Sequence, residues 1–283
     1  MVAYKYKSFM ELKRGFCLLI LLFGHFLTIK GQIVEMVTEV GIMKIRLYKD
    51  TPLHTANFLK NIKDGKYNNV LFHRVINDFM IQSGDPASVN AKPGDVVGNE
   101  SGKEVIKAEI LPQHNHKRGA LAAARQPDAT NPQKNSSQYQ FYIVDGRDYT
   151  VSMLKTLENS QNRKKRFKVA DSILNVDKNY ATKRQLDSLM MAKDFKTADK
   201  ILEQMYAQTD SIIGKKNLMR FSERQIKEYT TIGGVPNLDG KYTVFGEVFE
   251  GNEFIDMIAT VKTDANSRPL EDIHILKISI LEE

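Results

Sequence analysis

Phe72–Pro86 reads FHRVINDFMIQSGDP. Two short apolar runs flank a turn dipeptide, Asn77-Asp78, and strand-like alternation on both sides predicts a β-hairpin or a tight strand–loop–strand. One cation, Arg74, stands among large hydrophobes. An unpaired buried charge is heavily penalised, so this guanidinium is hydrated, paired or reserved for a ligand. Gln82 adds a neutral donor and acceptor, and Phe79 and Met80 supply an apolar wall. Such a set suits an apolar ring beside a carbonyl, as in a proline and its adjoining peptide bond. The competing reading is a plain core hairpin whose Arg74 pairs with Asp78 or Asp85 at its rim.

Strand parity limits how these side chains can meet. A strict two-residue turn at Asn77-Asp78 puts Phe79 on the face of Arg74 and Met80 and Gln82 on the other. All four line one site only if the connection is longer or bulged.

The stretch resembles the signature of the cyclophilin-type peptidyl-prolyl isomerases, and further matches follow in the expected order. These are His116–Ala124 (HKRGALAAA), Gln140–Ile143 (QFYI) and Leu238–Val248 (LDGKYTVFGEV). The resemblance implies a mainly β fold, a closed eight-stranded barrel with two bracketing helices. It implies a prolyl isomerase that acts on proline-containing polypeptides, in which Arg74 and Gln82 are catalytic. Arg74 would address the proline nitrogen of a twisted amide while Gln82 holds the substrate backbone. The proline ring is expected against Phe79, Met80, Phe141 and Leu238, with Tyr242 at the rim. Gln140 and the backbone near Ala124 and Arg125 would grip the preceding residues. No bond is made or broken in this reaction, so neither cofactor nor metal is expected. The chain departs from the family pattern at Asn237, where a tryptophan is common, at Tyr242, where a histidine is common, and at Arg125, where an asparagine is frequent. The contact expected at Arg125 is through its backbone.

Around these motifs the local patterning is consistent. Ile33–Val37 and Gly41–Tyr48 alternate as an opening hairpin, and Thr51-Pro52 begins a helix through about Lys63, ended by Asp64-Gly65. His73 is read as a buried structural residue. His114 and His116 form a His-x-His pair with no cysteine or carboxylate cluster to complete a metal site.

With 283 residues, 42% of them hydrophobic and 27% charged, the chain has enough apolar residues for a proper core. The apolar run Phe16–Ile29 follows Lys13-Arg14 and is short for a membrane span, so residues 1–31 are predicted to be a signal peptide, with an uncleaved anchor as the alternative. Cys17, the lone cysteine, opens that run, which argues against lipid attachment. The expected location is exported, periplasmic or membrane-associated, in a Gram-negative bacterium.

The net charge of +7 is unevenly placed. Residues 147–229 carry 18 Lys and Arg against 11 Asp and Glu, whereas 32–146 with 230–283 carry 18 against 22. The basic segment lacks proline, is rich in helix formers, and repeats apolar residues at helical spacing: Leu154 and Leu157, then Phe167, Ala170 and Leu174, then Ala198 through Tyr206. Ser222-Glu-Arg-Gln225 has the form of a capping box. The organisation expected is a cyclophilin-like domain over 32–146 and 230–283, split by an insertion of three or four helices over 147–229. The run Arg163–Arg166 is read as a solvated face. Interleaved acids exclude nucleic acid as a partner, which leaves an acidic client protein or an anionic membrane surface for 147–229.

Overall fold

A computed structural model describes residues 31–99, 104–176 and 179–281, so Cys17 and all but Gly31 of the expected signal peptide lie outside the described residues. Alternating apolar residues make Ile33–Thr38 (β1) and Ile42–Leu47 (β2) an antiparallel hairpin, with Val34, Met36, Met43 and Ile45 buried. Pro52–Lys63 (α1) begins with proline in its first turn and ends before Gly65, whose φ of 65° suits glycine. It turns Phe58 and Ile62 inward.

Then come Val70–Leu71 (β3), Arg74–Ile76 (β4), Met80–Ser83 (β5), Val105–Ile106 (β6), Ala120–Ala123 (β7), Ser136–Ser137 (β8) and Phe141–Val144 (β9). After a helical stretch the chain returns as Val244–Glu250 (β10) and His274–Leu281 (β11). Nine of these strands form one curled antiparallel sheet in the order β3-β11-β1-β2-β10-β7-β9-β5-β4, while β6 pairs with β8. The expectation was a closed ring of eight. Instead the hydrogen-bonded order has two ends, β3 and β4, which are consecutive in the chain and separated by Phe72-His73.

The sheet is two-faced. One face of its β4, β5, β7 and β9 strands carries Val75, Ile81, Leu121, Phe141 and Ile143 into the main core, closed by Phe58 of α1 and by Ile255 and Ile258 of the helix Glu253–Ala259. The opposite face carries Met80, Ala120, Ala122, Tyr142 and Val144, packed on Val235 and Val244.

Five helices occupy 151–231 among the described residues, where three or four were expected. They are Val151–Leu174 (α2), Tyr180–Met191 (α3), Phe195–Gln204 (α4), Tyr206–Ile213 (α5) and Glu223–Thr231 (α6), and Glu253–Ala259 above is α7. The extra one arises at Met205, whose N–H turns back to the Leu202 carbonyl at 3.0 Å and closes α4. Thr150 caps α2, and the Ser222/Gln225 capping box is fully formed on α6. Entry and exit are zipped together: Arg147 and Gly234 exchange backbone hydrogen bonds of 3.1 and 3.0 Å. Only glycine fits at 234, since a Cβ there would stand 2.3 Å from the His116 carbonyl.

The helices share two small apolar clusters, Leu154 with Phe221 and Tyr229, and Leu174 with Leu186 and Ala198. Polar ties do much of the remaining work. Arg166 forks onto Asp210 at 2.6 and 2.7 Å, Asn162 bonds both polar backbone groups of Met219, and Glu158 accepts from the Phe221 N–H. Arg163, Lys164 and Lys165 are exposed, as expected of a solvated face, and Arg163 bonds Asp199 while Lys165 reaches the Asn217 carbonyl at that surface. Phe167, expected to pack, is 55% exposed.

Candidate active site

The hairpin at the centre of the site has a three-residue connection, Asn77-Asp78-Phe79, because Ile76 pairs directly with Met80. Asp78 takes a φ of 59°, and its N–H donates to the buried Asp145 carboxylate at 2.8 Å. The longer connection resolves the parity problem. Arg74 now faces Gln82 across the ladder, so Arg74, Met80 and Gln82 share one face. Phe79 joins them from the turn itself, with the Arg74 guanidinium 5.9 Å from its ring centroid.

Arg74, Phe79, Met80, Gln82, Ala124, Leu238 and Tyr242 come together around a pocket of about 140 Å³, to which Tyr142 and Arg125 add walls. This is a ring-sized space, since an apolar cavity of ~150 Å³ admits benzene. Gln140 joins through its side chain. The Gln82 amide donates to Gln140 Oε1 at 2.9 Å, and the Gln140 amide donates to the Gly98 carbonyl at 2.8 Å. Arg74 Nη1 donates weakly to Gln82 Oε1 at 3.4 Å and approaches Met80 Sδ at 3.7 Å.

Phe141 is not in the pocket. It is 1% exposed on the opposite face, edge-on to Phe58 and Tyr67 in the main core. Alternation in β9 decides this: Gln140 and Tyr142 cannot share a face with Phe141, so Tyr142 is the aromatic wall. Ala124 contributes little through its backbone. Its N–H goes to Gln140 and its carbonyl accepts from Ser137, at 3.0 and 2.8 Å. The main chain of Arg125 makes no such bonds among the described residues and is the available strand edge.

The alternative of a plain core hairpin does not hold. Asp85 caps a short helical turn, accepting from the N–H groups of Ala87 and Gly98, and Asp78 points its amide at Asp145. Arg74 forms no ion pair among the described residues, and its Nε and Nη2 have no partner there.

Sequence reasoning missed the support behind the pocket. His116, fully buried, donates from Nδ1 to Asp239 at 3.0 Å, which leaves Nε2 to accept the Tyr142 hydroxyl at 3.1 Å. The other Asp239 oxygen accepts from the Tyr229 hydroxyl at 2.7 Å and from Gln225 at 3.2 Å. Asp239 follows Leu238, so α6 is hydrogen-bonded to the turn that carries the pocket floor. Burial pushes the Tyr142 hydroxyl well above its ordinary range, which keeps it a donor. The visible signal was the Leu-Asp-Gly block, whose aspartate went unassigned. His114 is occupied separately, stacked on Tyr48 and bonded to Asp50 at 2.7 Å.

Two other histidines are buried. His54 lies between Glu109 Oε2 (2.7 Å) and Ser136 Oγ (2.9 Å), a row resembling a nucleophile–base–acid set. Ser136 is only 1% exposed, and Glu109 also accepts the N–H groups of Leu53 and His54 at the start of α1, so the row braces the helix. His73 lies beside Arg74, 5% exposed, and neither ring nitrogen has a hydrogen-bond partner among the described residues. Burial pushes it down to about 4 and keeps it neutral beneath the guanidinium.

The chain is similar to several known proteins. The sequence model of the family described as cyclophilin type peptidyl-prolyl cis-trans isomerase/CLD matches residues 33–178 and 220–280. A protein of Staphylococcus saprophyticus named "Putative peptidyl-prolyl cis-trans isomerase" is 28% identical over 257 residues, covering 90% of this chain and 95% of its own. One of the same name from Staphylococcus haemolyticus is 27% identical over 248 residues, covering 87% and 90%. The crystal structure of a cyclophilin type peptidyl-prolyl cis-trans isomerase of Cryptosporidium parvum has 20% identity and a TM-score of 0.49, covering 89% of this chain and 98% of that one.

Proposed function

The chain belongs to the cyclophilin-type peptidyl-prolyl cis-trans isomerases, and on that premise we propose that Arg74 is the group that lowers the rotational barrier of a bound X-Pro bond. The barrier, roughly 18–20 kcal/mol, is the loss of amide conjugation. A catalyst must therefore bind the twisted amide more tightly than either planar isomer. As conjugation is lost the proline nitrogen regains its lone pair and becomes an acceptor, so a fixed cationic donor stabilises the twisted form selectively. The observation that carries this reading is a guanidinium without a carboxylate partner among the described residues, its Nη1 steadied by a neutral amide, over a ring-sized pocket. The relay Gln82–Gln140–Gly98 sets which way each amide points, leaving Gln82 Oε1 facing Arg74. Proline would lie against Phe79, Met80, Tyr142 and Leu238, and the preceding residues would run along Arg125.

Removing a preorganised donor typically costs on the order of 10²–10³ in rate. Arg74→Ala should therefore lower kcat/KM by that factor on a short prolyl peptide followed by exchange NMR, with an unchanged circular dichroism spectrum. Near-wild-type turnover would remove Arg74 from the mechanism.

The substrates we propose are exported polypeptides whose folding waits on slow X-Pro isomerisation, a reading supported by the apolar run Phe16–Ile29 behind Lys13-Arg14. The continuity of Val70–Ile76 between the two sheet ends favours the closed barrel of the family. A second role, client holding by the helices, is favoured by exposed Phe167, Tyr180, Met191 and Phe195 on a basic surface. Replacing Phe167, Met191 and Phe195 by serine should leave peptide turnover unchanged and weaken suppression of client aggregation. Unchanged suppression would end that second role.

A further inference from the structure

The rim of the proline pocket carries an excess of positive charge drawn from three parts of the chain. Arg125 lines the pocket, with its guanidinium 4.5 Å from the Tyr242 ring centroid, and donates from Nε to the Lys241 carbonyl at 2.8 Å. Lys241 folds back so that its ammonium donates to the Asn237 carbonyl at 2.7 Å, and Lys134 donates to the Gly240 carbonyl at 3.1 Å. The 237–242 segment that supplies Leu238 and Tyr242 is thus bracketed by three cations. Burial, then the ammonium groups of Lys164 and Lys134, hold Lys241 below its usual range. One carboxylate answers them. Asp128, 67% exposed in its side chain, meets Arg125 Nη2 at 2.6 Å, and Lys134 and Lys241 also act on it. Asp239, the other nearby acid, is turned away into the His116 and Tyr229 bonds.

We propose that this rim selects substrates with an acidic side chain within one or two residues of the proline. The inference rests on the isomerase reading of the pocket and gives it a substrate class. Asp128 displays the chemistry the site accepts: a solvent-facing carboxylate beside Arg125, whose side chain is only 3% exposed and also donates to the Lys241 and Gln126 carbonyls, so that Lys134 and Lys241 are the cations an incoming acid would meet. A glutamate or aspartate on a bound peptide would share or displace it, whereas a lysine would meet like charge. Exposed ion pairs are individually weak and screened by salt, so several must act together for the preference to be measurable.

The test uses the full chain and tetrapeptides with Glu, Gln or Lys placed immediately before or after proline. Both Kd, from chemical-shift titration, and kcat/KM, from exchange NMR, are measured. For the wild type a Glu-over-Lys ratio of about tenfold is expected at low salt at one or both positions, shrinking toward unity in about 0.5 M NaCl. The Lys134→Gln/Lys164→Gln double variant should cut the ratio to about threefold or less, the ratio being read against the variant's own turnover of the Gln peptide. Asp128→Asn should raise the ratio, an effect that a merely structural Arg125–Asp128 pair would not produce. A wild-type ratio within about twofold at both positions, or one untouched by the double variant, overturns the proposal. Failure to turn over the Gln peptide would count against the isomerase reading alone, because the Kd ratio decides the acidic preference independently.

Discussion

The sheet and the helical segment are stabilised in different ways. The sheet encloses one continuous apolar cluster running from Val34 and Met36 through Phe58 and Phe141 to Ile275. The helices share two small clusters and depend on Arg166–Asp210, Asn162–Met219 and Glu158–Phe221 for the rest. A close-packed interior transmits strain and holds side chains in fixed rotamers, which suits a site that must present Arg74 without rearrangement. Polar ties across thin helix contacts leave a segment that can open locally while the sheet stays folded. The two regions nevertheless meet at Asp239, where Tyr229 and Gln225 of α6 bond the turn carrying Leu238. The near end of the helical segment therefore belongs with the pocket, and only the α3–α4 end is independent of it.

The largest effect separates the two regions by stability. Phe141→Ala empties a site packed by Phe58 and Tyr67 and should cost about 3–5 kcal/mol of global stability. Leu186→Ala, at the edge of the smaller cluster, should cost about 2 kcal/mol and appear as faster amide exchange in α2–α4 alone. Global destabilisation by both would show that sheet and helices unfold as one unit. The same experiment tests the facing of β9, because Tyr142→Phe loses only the hydroxyl bond to buried His116 and should cost about 1–2 kcal/mol, less than Phe141→Ala.

How far the sequence reaches is clearest in this same strand. The hairpin, α1 and the Ser222 capping box were legible because each depends on local chemistry: apolar alternation, a proline and a glycine at the ends, a serine three residues before a glutamine. The convergence of Arg74, Met80 and Gln82 was not. It turns on whether Asn77-Asp78 or Asn77-Asp78-Phe79 makes the turn, a matter settled by the Asp145 carboxylate from a distant segment. Phe141 was misplaced by one position for a related reason. Two adjacent aromatics in QFYI look equally apolar, and only strand pairing tells which faces the core. Arg125 and Asp239 were underread because key partners, Tyr242 and Lys241 in one case and His116 in the other, are far away in sequence.

The smallest effect distinguishes the regions by pH. His73 in the sheet is held by burial at about 4, whereas a free histidine titrates near 6.5. Between those values the unfolded chain binds a proton that the folded sheet refuses, so stability falls as pH drops through this window. From pH 7 to pH 5 the loss should be about 2 kcal/mol. Asp145, raised by burial, acts in the opposite sense near the lower end of the window and blunts it. The helices respond elsewhere. Asp210 is lowered by the hydrogen bond from Arg166 and Asp194 by its bond from Thr197, so their contributions persist until pH falls below about 4. A thermal melt at pH 5 should therefore show the sheet weakened while the helical signal of α3–α4 is retained, and His73→Leu should flatten the dependence between pH 7 and 5. If the variant keeps the wild-type slope, the proton is taken up elsewhere, and the neutral ring under Arg74 loses its place in the account of why that guanidinium stays available.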